Sequence, residues 1–254
     1  RSLAAALEPF TGQVYFSPEC HAAYADLGFS PSPGSMGSGV ALPDGPAYFT
    51  SRGSVLGQVP GEVVAAAFGV FNPEVVVPAV AHGWSVALAA TVESARTDGA
   101  VAQLCRVLGS SPDGLDRGLD LLRRATDGLR PEVRPLFAGL LSQGLPGEPL
   151  ADAWRLADWL REYRGDVHVA ARPSAGFDAT EIGLLTELYW GLPMRTYVRS
   201  RAWTSEQLDA AEARLVERGL VADGGFTTAG RAAREAVEVV TDEACGPIVR
   251  NLRD

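Results

Sequence analysis

The chain contains one ordered set of short motifs twice, and this repetition constrains its architecture more than any other feature. The first set is Arg52-Gly53-Ser54-Val55, Glu62-Val63-Val64, Phe71-Asn72-Pro73 and Trp84-Ser85. The second set is Arg164-Gly165-Asp166-Val167, Glu181-Ile182, Tyr189-Trp190-Gly191-Leu192-Pro193 and Trp203-Thr204. Because internal repeats decide architecture, we expect two winged-helix-like modules, residues 1–130 and 131–254, related by a pseudo-twofold axis. Arg52 and Arg164 would then lie on either side of one shared interior or cleft.

Helical spacing of apolar residues predominates, so the predicted fold class is mainly α. Pro, Gly and capping residues bound the predicted helices, which are residues 2–28 with a restart at Ser17-Pro18, 60–71, 73–82, 85–96, 98–109, 112–128, 131–143, 151–163 and 180–192. The aromatic stripe in 151–163 is most simply core. Residues 30–45 are rich in Pro, Gly and Ser, which predicts a lid or an ordered surface loop.

Residues 203–231 carry the order of elements that is typical of a winged helix. A helix capped at Thr204 runs to Gly219, and an Asp223-Gly224-Gly225 turn then separates two short strands. A second helix with a threonine cap follows at Thr228. The sequence therefore predicts a small β-wing near 220–228.

Composition excludes several kinds of chemistry. The 254-residue chain has a formal net charge of −9 and contains no lysine, which rules out Schiff-base and P-loop lysine mechanisms. His21, His82 and His168 lack metal-ligand spacing, and the three cysteines share no CxxC pair, so we expect no metal. The glycines of 34–39 follow no predicted strand, so we also expect no nucleotide cofactor.

Neither a membrane span nor a secretory signal is expected. The longest apolar run, residues 75–90, is interrupted by Pro78, His82 and Gly83. The first residues lack the basic cap and the cleavage pattern of a secretory signal. We therefore expect a cytoplasmic protein with reduced cysteines.

Two resemblances follow from these motifs. Residues 180–240 resemble the winged-helix domain of MarR-type regulators, in the phrases Leu215-Val216-Glu217-Arg218-Gly219-Leu220-Val221 and Phe226-Thr227-Thr228-Ala229-Gly230. The whole chain resembles an actinobacterial family of helix-turn-helix proteins of unassigned function, in Val14-Tyr15-Phe16-Ser17-Pro18-Glu19, Tyr48-Phe49-Thr50-Ser51-Arg52, Phe71-Asn72-Pro73 and residues 160–170. Tyr163 stands where that family usually has histidine, Val167 where it usually has glycine, and the loop at 30–45 is longer. These departures indicate a specialised member with a reshaped pocket.

Arg164, Asp166 and His168 form the best candidate catalytic group. In an extended or turn segment, Asp166 and His168 would share one side, so that the carboxylate could orient the imidazole for proton transfer. Arg164 and Arg52 would bind an anionic group or a developing oxyanion. The simpler alternative is structural: Arg164 and Asp166 cap neighbouring helix ends, and His168 packs beside them.

Aromatic residues at or beside the repeated motifs predict a pocket wall. A largely apolar cavity with a few polar anchors is the usual construction of a small-molecule site. The candidate binding residues are Tyr15, Tyr48, Phe71, Asn72, Trp84, Tyr189 and Trp190.

Charge argues against DNA as a partner. Acidic residues outnumber basic ones between 178 and 235, and the expected recognition helix carries Glu206, Asp209, Glu212 and Glu217. Only Arg195, Arg199 and Arg201 form a basic cluster.

The first hypothesis is a protein that binds a largely apolar specialised metabolite of natural-product biosynthesis. It extends to cofactor-independent acid/base turnover as an isomerase, cyclase or lyase. The alternatives are a MarR-like winged-helix regulator and a purely structural interaction module. A homodimer is left open.

Overall fold

The computed structural model describes residues 1–253, and most of them are helical. The helices are α1 (Ser2–Thr11), α2 (Pro18–Asp26), α3 (Gly45–Gly53), α4 (Gly61–Phe68), α5 (Pro73–Val86), α6 (Ala89–Leu108), α7 (Leu115–Thr126), α8 (Pro135–Gln143), α9 (Pro149–Ser174), α10 (Ala179–Tyr189), α11 (Ser205–Glu217), α12 (Thr228–Ala244) and α13 (Gly246–Asn251). Three 3₁₀ turns cover Gly12–Phe16, Ser54–Leu56 and Val198–Arg201. The strands are β1 (Ser35–Gly37), β2 (Val40–Ala41), β3 (Val221–Ala222) and β4 (Gly225–Phe226). The predicted mainly α class with a small β-wing is confirmed.

Side-chain caps begin several of these helices where the sequence predicts them. The Ser17 hydroxyl accepts a hydrogen bond from the Cys20 amide, and Pro18 occupies the first turn of α2. Reciprocal capping boxes begin α10 at Asp178 and α11 at Thr204. The starts of these elements therefore follow from local chemistry.

Helix α9 is the central element of the fold. Every residue from Leu150 to Leu160 is buried, including Asp152, Arg155 and Asp158. A helix buried on all sides has no solvated face for its charges, so each of them needs a partner inside the protein. This requirement makes α9 the source of most of the buried ion pairs described below.

Three hydrophobic clusters form the core. The largest joins α4 and α5 to α8 and α9, and it includes Phe68, Val76, Leu140 and Leu156. A second cluster packs α2 against α6 around Trp154, and a third lies between α10, α11 and α12. The largest cluster contains residues from both sides of position 130, and the division into modules 1–130 and 131–254 stays a prediction.

Residues 179–244 form a helix, a second helix, a hairpin and a third helix, in the predicted order. In the hairpin, Val221 pairs with Phe226 and Ala222 pairs with Gly225. Asp223 and Gly224, between the strands, have φ of 50° and 72°. Positive φ at both central residues is the requirement of the tight hairpin turn that Asp-Gly favours.

The duplication is not confirmed, because the repeated motifs occupy different local structures. Arg52 lies near the end of the short helix α3, whereas Arg164 lies inside the 26-residue helix α9. Asn72 caps α5, but Pro193 lies in an irregular segment before a 3₁₀ turn. Similar residue order here does not produce similar elements.

Two local expectations are wrong. The break expected near residue 97 is absent from α6, because Gly99 serves close packing and not termination: a Cβ there would lie 2.6 Å from the Cys20 Cα. The 30–45 segment contains the β1–β2 hairpin and lines a shallow depression beside α2. None of its residues lines either of the two cavities described below, so it is not their lid.

Within residues 1–253, no single helix combines the length and the apolar composition needed to cross a bilayer. The pair α5 and α6 passes that test only when taken together, and the two helices are bent by 94°.

Candidate functional site

Two cavities lie on either side of α1. The first, of about 440 Å³, we call the leucine cavity after Leu3, Leu7 and Leu160 in its wall. The second, of about 500 Å³, we call the arginine cavity after Arg172, Arg201 and Arg234. Both volumes lie in the range of ligand sites.

The arginine cavity is basic within an acidic protein. Five arginines line it, Arg1, Arg164, Arg172, Arg201 and Arg234, against only two carboxylates, Glu8 and Glu238. Converging cations in a concave, partly desolvated site attract an anion more strongly than the same charges do on an open surface. The cavity is therefore a local exception to the net charge of −9.

Arg172, near the end of α9, is buried and has no carboxylate bound to it. Its Nη2 donates to the Gly69 carbonyl at 2.8 Å, while Nε and Nη1 have no hydrogen-bond partner among residues 1–253. Burial lowers the pKa of this guanidinium to about 10. A Cβ on Gly69 would lie 2.6 Å from Nη2, so only glycine leaves room for this contact.

Arg201 reaches the same cavity from the 3₁₀ turn Val198–Arg201. Its guanidinium lies over the rings of Tyr197, at 4.3 Å, and Phe71, at 4.7 Å. No carboxylate within the described residues forms an ion pair with it, and burial lowers its pKa. The two rings hold the side chain in place without neutralising its charge.

Glu238 on α12 organises the remaining cations of this cavity. Its Oε2 accepts from Arg164 at 2.6 Å and its Oε1 from Arg234 at 2.8 Å. Although burial acts in the opposite direction, Arg234 and Arg164 hold the pKa of Glu238 below its usual range. Nε and Nη1 of Arg234 lack partners among residues 1–253, and both atoms are buried.

His168 faces the arginine cavity as a neutral base. Burial lowers the pKa of its imidazole to about 4, an effect that Glu238 opposes and the surrounding arginines reinforce. The Thr241 hydroxyl donates to the Val237 carbonyl at 2.7 Å, so it accepts from His168 Nδ1 at 3.2 Å. Nε2 is thereby left as a hydrogen-bond acceptor.

Two aromatic residues predicted for the pocket wall line the arginine cavity. Trp190 is 55% exposed and packs edge-on against Tyr197, with ring centroids 5.1 Å apart. Tyr189 donates to Glu235 at 2.6 Å, and its ring supports the Arg234 guanidinium. An exposed tryptophan at the edge of a cavity offers apolar area to a bound molecule.

The charged groups of the leucine cavity, in contrast, are matched. Arg52 donates twice to Glu162, at 3.0 and 3.3 Å, and Arg161 donates to the same carboxylate at 2.6 Å. Although burial acts in the opposite direction, the two arginines lower the pKa of Glu162 to about 2. The Tyr15 hydroxyl lies 3.4 Å from Glu162 and completes this group. Arg52 and Arg164 both line this cavity.

The structure corrects the expected geometry of Asp166 and His168. Both lie inside α9, not in an extended or turn segment, and residues two apart on a helix do not face each other. Asp166 points toward α8, where its carboxylate accepts from the Phe137 amide at 3.0 Å, as the capping alternative predicts. It lines neither cavity, and burial raises its pKa to about 7.

Four predicted binding residues lie in the core instead of a cavity wall. Tyr48 and Phe71 belong to an aromatic cluster with ring centroids 5.6 Å apart. Trp84 donates to the Val59 carbonyl at 2.7 Å, and Asn72 joins α5 to the α11 region through the Ala202 carbonyl and Gln207. None of the four lines either cavity, and neither does Tyr15, which is buried in the second core cluster.

Sequence reasoning missed Arg172, Arg234 and Glu238, and it assigned Arg201 to a basic surface cluster. One signal was available on α9. Arg161, Arg164, His168 and Arg172 are spaced by three, four and four residues, which places them along one helix face. That face borders the two cavities.

The basic cluster that favoured DNA binding is largely used inside the protein. Arg195 pairs with Asp209 and Glu212 of α11, and Arg201 lies in the cavity, which leaves Arg199 exposed. The outer face of α11 exposes Glu206, Asp209 and Glu217. Exposed carboxylates on this face oppose contact with phosphates.

Within residues 1–253, no group of three or more His, Cys, Asp or Glu side chains is placed to hold a metal ion.

The order helix, helix, hairpin, helix in residues 179–244 is that of a helix-turn-helix protein with a wing. A family model described as "Helix-turn-helix family" matches residues 1–254, and the chain belongs to this family. No curated protein and no solved structure matches the chain.

Proposed function

We propose that the protein binds a small organic anion with a largely apolar body in the arginine cavity. Arg172 and Arg201 carry this proposal, because both are desolvated, both border the cavity, and neither has a carboxylate partner among the described residues. A buried unpaired cation costs free energy, and an anionic ligand would supply the missing charge.

The rest of the wall sets the character of the ligand. Trp190, Tyr197 and Ile182 offer apolar area, while the neutral His168 offers an acceptor for a hydroxyl or an amide group. A specialised metabolite of natural-product biosynthesis with an acidic group on an apolar skeleton has this combination. We propose that class of ligand.

Acid/base turnover extends the same proposal. His168 is neutral near pH 7 and borders the cavity, so it is the candidate base. Asp166 is not its partner, and the group that orients the imidazole is Thr241. Arg164, held by Glu238, is the candidate group for a developing negative charge.

Binding would be tested by titration calorimetry with benzoate and phenyl phosphate, against benzamide as the neutral analogue. We expect the anions to bind the wild type and benzamide to bind at least about tenfold more weakly, since a charge-assisted hydrogen bond is worth about 1.5–3 kcal/mol. Arg201→Met keeps the apolar stem and removes the charge, and should lose anion binding. Arg199→Met alters an exposed arginine of the same 3₁₀ turn and is the matched control.

Two results would contradict the proposal: equal binding of benzoate and benzamide, or unchanged benzoate affinity in Arg201→Met. If the anions bind as expected, incubation of wild type and His168→Gln with metabolite extracts would separate an enzyme from a binding protein. Turnover predicts product from the wild type alone.

A regulator of the MarR kind, acting as a homodimer whose DNA affinity the ligand changes, is the second candidate. Membership in a helix-turn-helix family favours it, and the acidic face of α11 opposes it. Fluorescence anisotropy with a mixed-sequence DNA duplex at low salt would decide. Affinity that falls steeply with added salt and changes with benzoate would support the regulator, and absence of binding would remove it.

A further inference from the structure

The leucine cavity and the arginine cavity, on either side of α1, share part of their walls. Four residues line both of them: Arg1, Ala4 and Glu8 of the α1 region, and Arg164 of α9. Ala4 presents only a methyl group at this junction. The two cavities are therefore neighbouring chambers that share a wall where α1 packs on α9.

The two chambers differ in whether their charged side chains are paired. In the leucine cavity, Arg52 and Arg161 are paired with Glu162, and Arg161 is also paired with Glu8. Asp242 of the same wall is paired with Arg1, and Thr11 also lines the cavity. The apolar part of the wall is made by Leu3, Leu7, Leu160, Cys245, Ile248 and Val249. With its charges matched, this chamber favours uncharged apolar matter, whereas Arg172 and Arg201 in the other chamber favour an anion.

We propose that the leucine cavity holds the apolar tail of an elongated amphipathic carboxylic acid, whose carboxylate lies between Arg172 and Arg201 and whose chain passes beneath Ala4. This inference rests on the proposed function and adds the shape of the ligand. On this inference, residues of α1, α9 and α13 determine which chain lengths the site accepts. The wall that the two chambers share and their opposite chemistry carry it.

Gly165 offers a way to close the tail chamber alone. It lines the leucine cavity, and a Cβ there would meet only Glu162 Oε2, at 3.5 Å, which is ordinary contact. Leucine at this position would therefore extend into the chamber, and replacing a helical glycine favours the helix. Gly165→Ala adds only a methyl group and is the control. Ala4→Phe would block the junction independently.

The experiment is a calorimetric series of straight-chain carboxylates from butanoate to dodecanoate, each below its micelle concentration. For the wild type we expect affinity to rise by up to about fourfold per methylene once the chain passes the junction. Gly165→Leu, which changes only the leucine cavity, should leave butanoate affinity unchanged and lower dodecanoate affinity by at least about tenfold. Ala4→Phe alters the wall of both cavities, and it should remove the gain in affinity from butanoate to dodecanoate. Gly165→Ala should behave as the wild type.

Failure of this inference is distinguishable from failure of the proposed function. The inference is overturned if dodecanoate binds no more tightly than butanoate, or if the gain with chain length survives in both blocking variants. In either case, benzoate or butanoate binding that requires Arg201 would leave the proposed function standing. If short acids do not bind, or bind equally in Arg201→Met, the proposed function and this inference both fall.

Discussion

Arg96 is fully buried and Arg201 is half-buried, in different parts of the molecule, and both guanidinium groups lie over aromatic rings. Arg96 stacks on Trp154 and donates to Asp158 at 2.7 Å, and both charged side chains are almost completely buried. Arg201 stacks on Phe71 and Tyr197 and has no such carboxylate among residues 1–253. The aromatic contact is common to both, so the difference between them is the counter-charge.

On the function that we propose, that difference separates an arginine that stabilises the fold from one that binds a ligand. A buried cation is tolerated when its carboxylate comes from the same chain, as with Arg96 and Arg52. Arg172 and Arg201 border a cavity instead, and in the proposed function an anion there would pair with them. In the proposed function, a bound anion would recover the free energy lost in leaving them unpaired.

The largest expected effect is on stability, at the ion-paired arginine of this comparison, Arg96. Arg96→Met should leave the Asp158 carboxylate buried without its cation and lower the free energy of unfolding by about 3–5 kcal/mol. Urea denaturation measures it. Arg106→Met breaks the exposed pair with Glu19 and should cost less than about 1 kcal/mol. Equal effects from the two variants would show that burial of the pair does not matter.

Asp166 is the acidic counterpart of Arg201, a buried carboxylate with no arginine bound to it, and it predicts a pH dependence. Burial raises its pKa to about 7 in the folded protein, whereas the unfolded chain has a value near 3.9. The folded state binds the extra proton between these values, so this contribution to stability is full below about pH 4. It is lost as pH rises through 7.

Asp166→Asn should remove this dependence and keep the acceptor for the Phe137 amide. Between pH 4 and pH 8, the unfolding free energy of the variant should rise relative to wild type by about 2–4 kcal/mol. His168 acts in the opposite sense, since its lowered pKa takes stability away as pH falls from 6.5 to 4, but it is present in both proteins. A variant-to-wild-type difference that is constant with pH would contradict the account.

A smaller effect is expected at Glu187, which shapes the turn that carries Arg201. This buried carboxylate accepts hydrogen bonds from the backbone amides of Arg195 and Val198, each at 2.6 Å, and from that of Tyr197. Glu187→Gln places a side-chain NH₂ group against these backbone N–H donors. We expect the variant to have a free energy of unfolding lower by about 1.5–3 kcal/mol and to bind benzoate more weakly. Glu206→Gln on the exposed face of α11 should change stability by less than about 0.5 kcal/mol. Unchanged benzoate affinity in Glu187→Gln would show that the shape of this turn does not affect binding at the site.

The fold could be predicted from the sequence where local chemistry decides it. Ser17-Pro18, Thr204 and Asp223-Gly224 each specify a cap or a turn by their own side chains, and the structure has those features. Gly99 could not be interpreted in this way. The reason for a glycine there is the close approach of α2, which is information about packing and not about the local chain.

The candidate site could be predicted only in part, for a related reason. Arg164, His168, Tyr189 and Trp190 were found because their motifs mark them, and they line the arginine cavity. Arg201 was placed in a surface cluster because sequence does not show which of several arginines turns inward. The prediction that Asp166 faces His168 depends on an extended segment. Both residues instead lie inside helix α9, where side chains two residues apart do not face each other.

The measurement that tests the central claim most directly is made on Arg201→Met, with unfolding free energy and benzoate affinity determined on the same sample. Because Arg201 lacks an acidic partner among the described residues, its removal strands no carboxylate. Our account predicts stability that is unchanged or raised by up to about 1 kcal/mol, together with a loss of benzoate affinity of at least about tenfold. A loss of about 3 kcal/mol in stability with benzoate affinity unchanged would mean that Arg201 serves the fold as Arg96 does, and would contradict it.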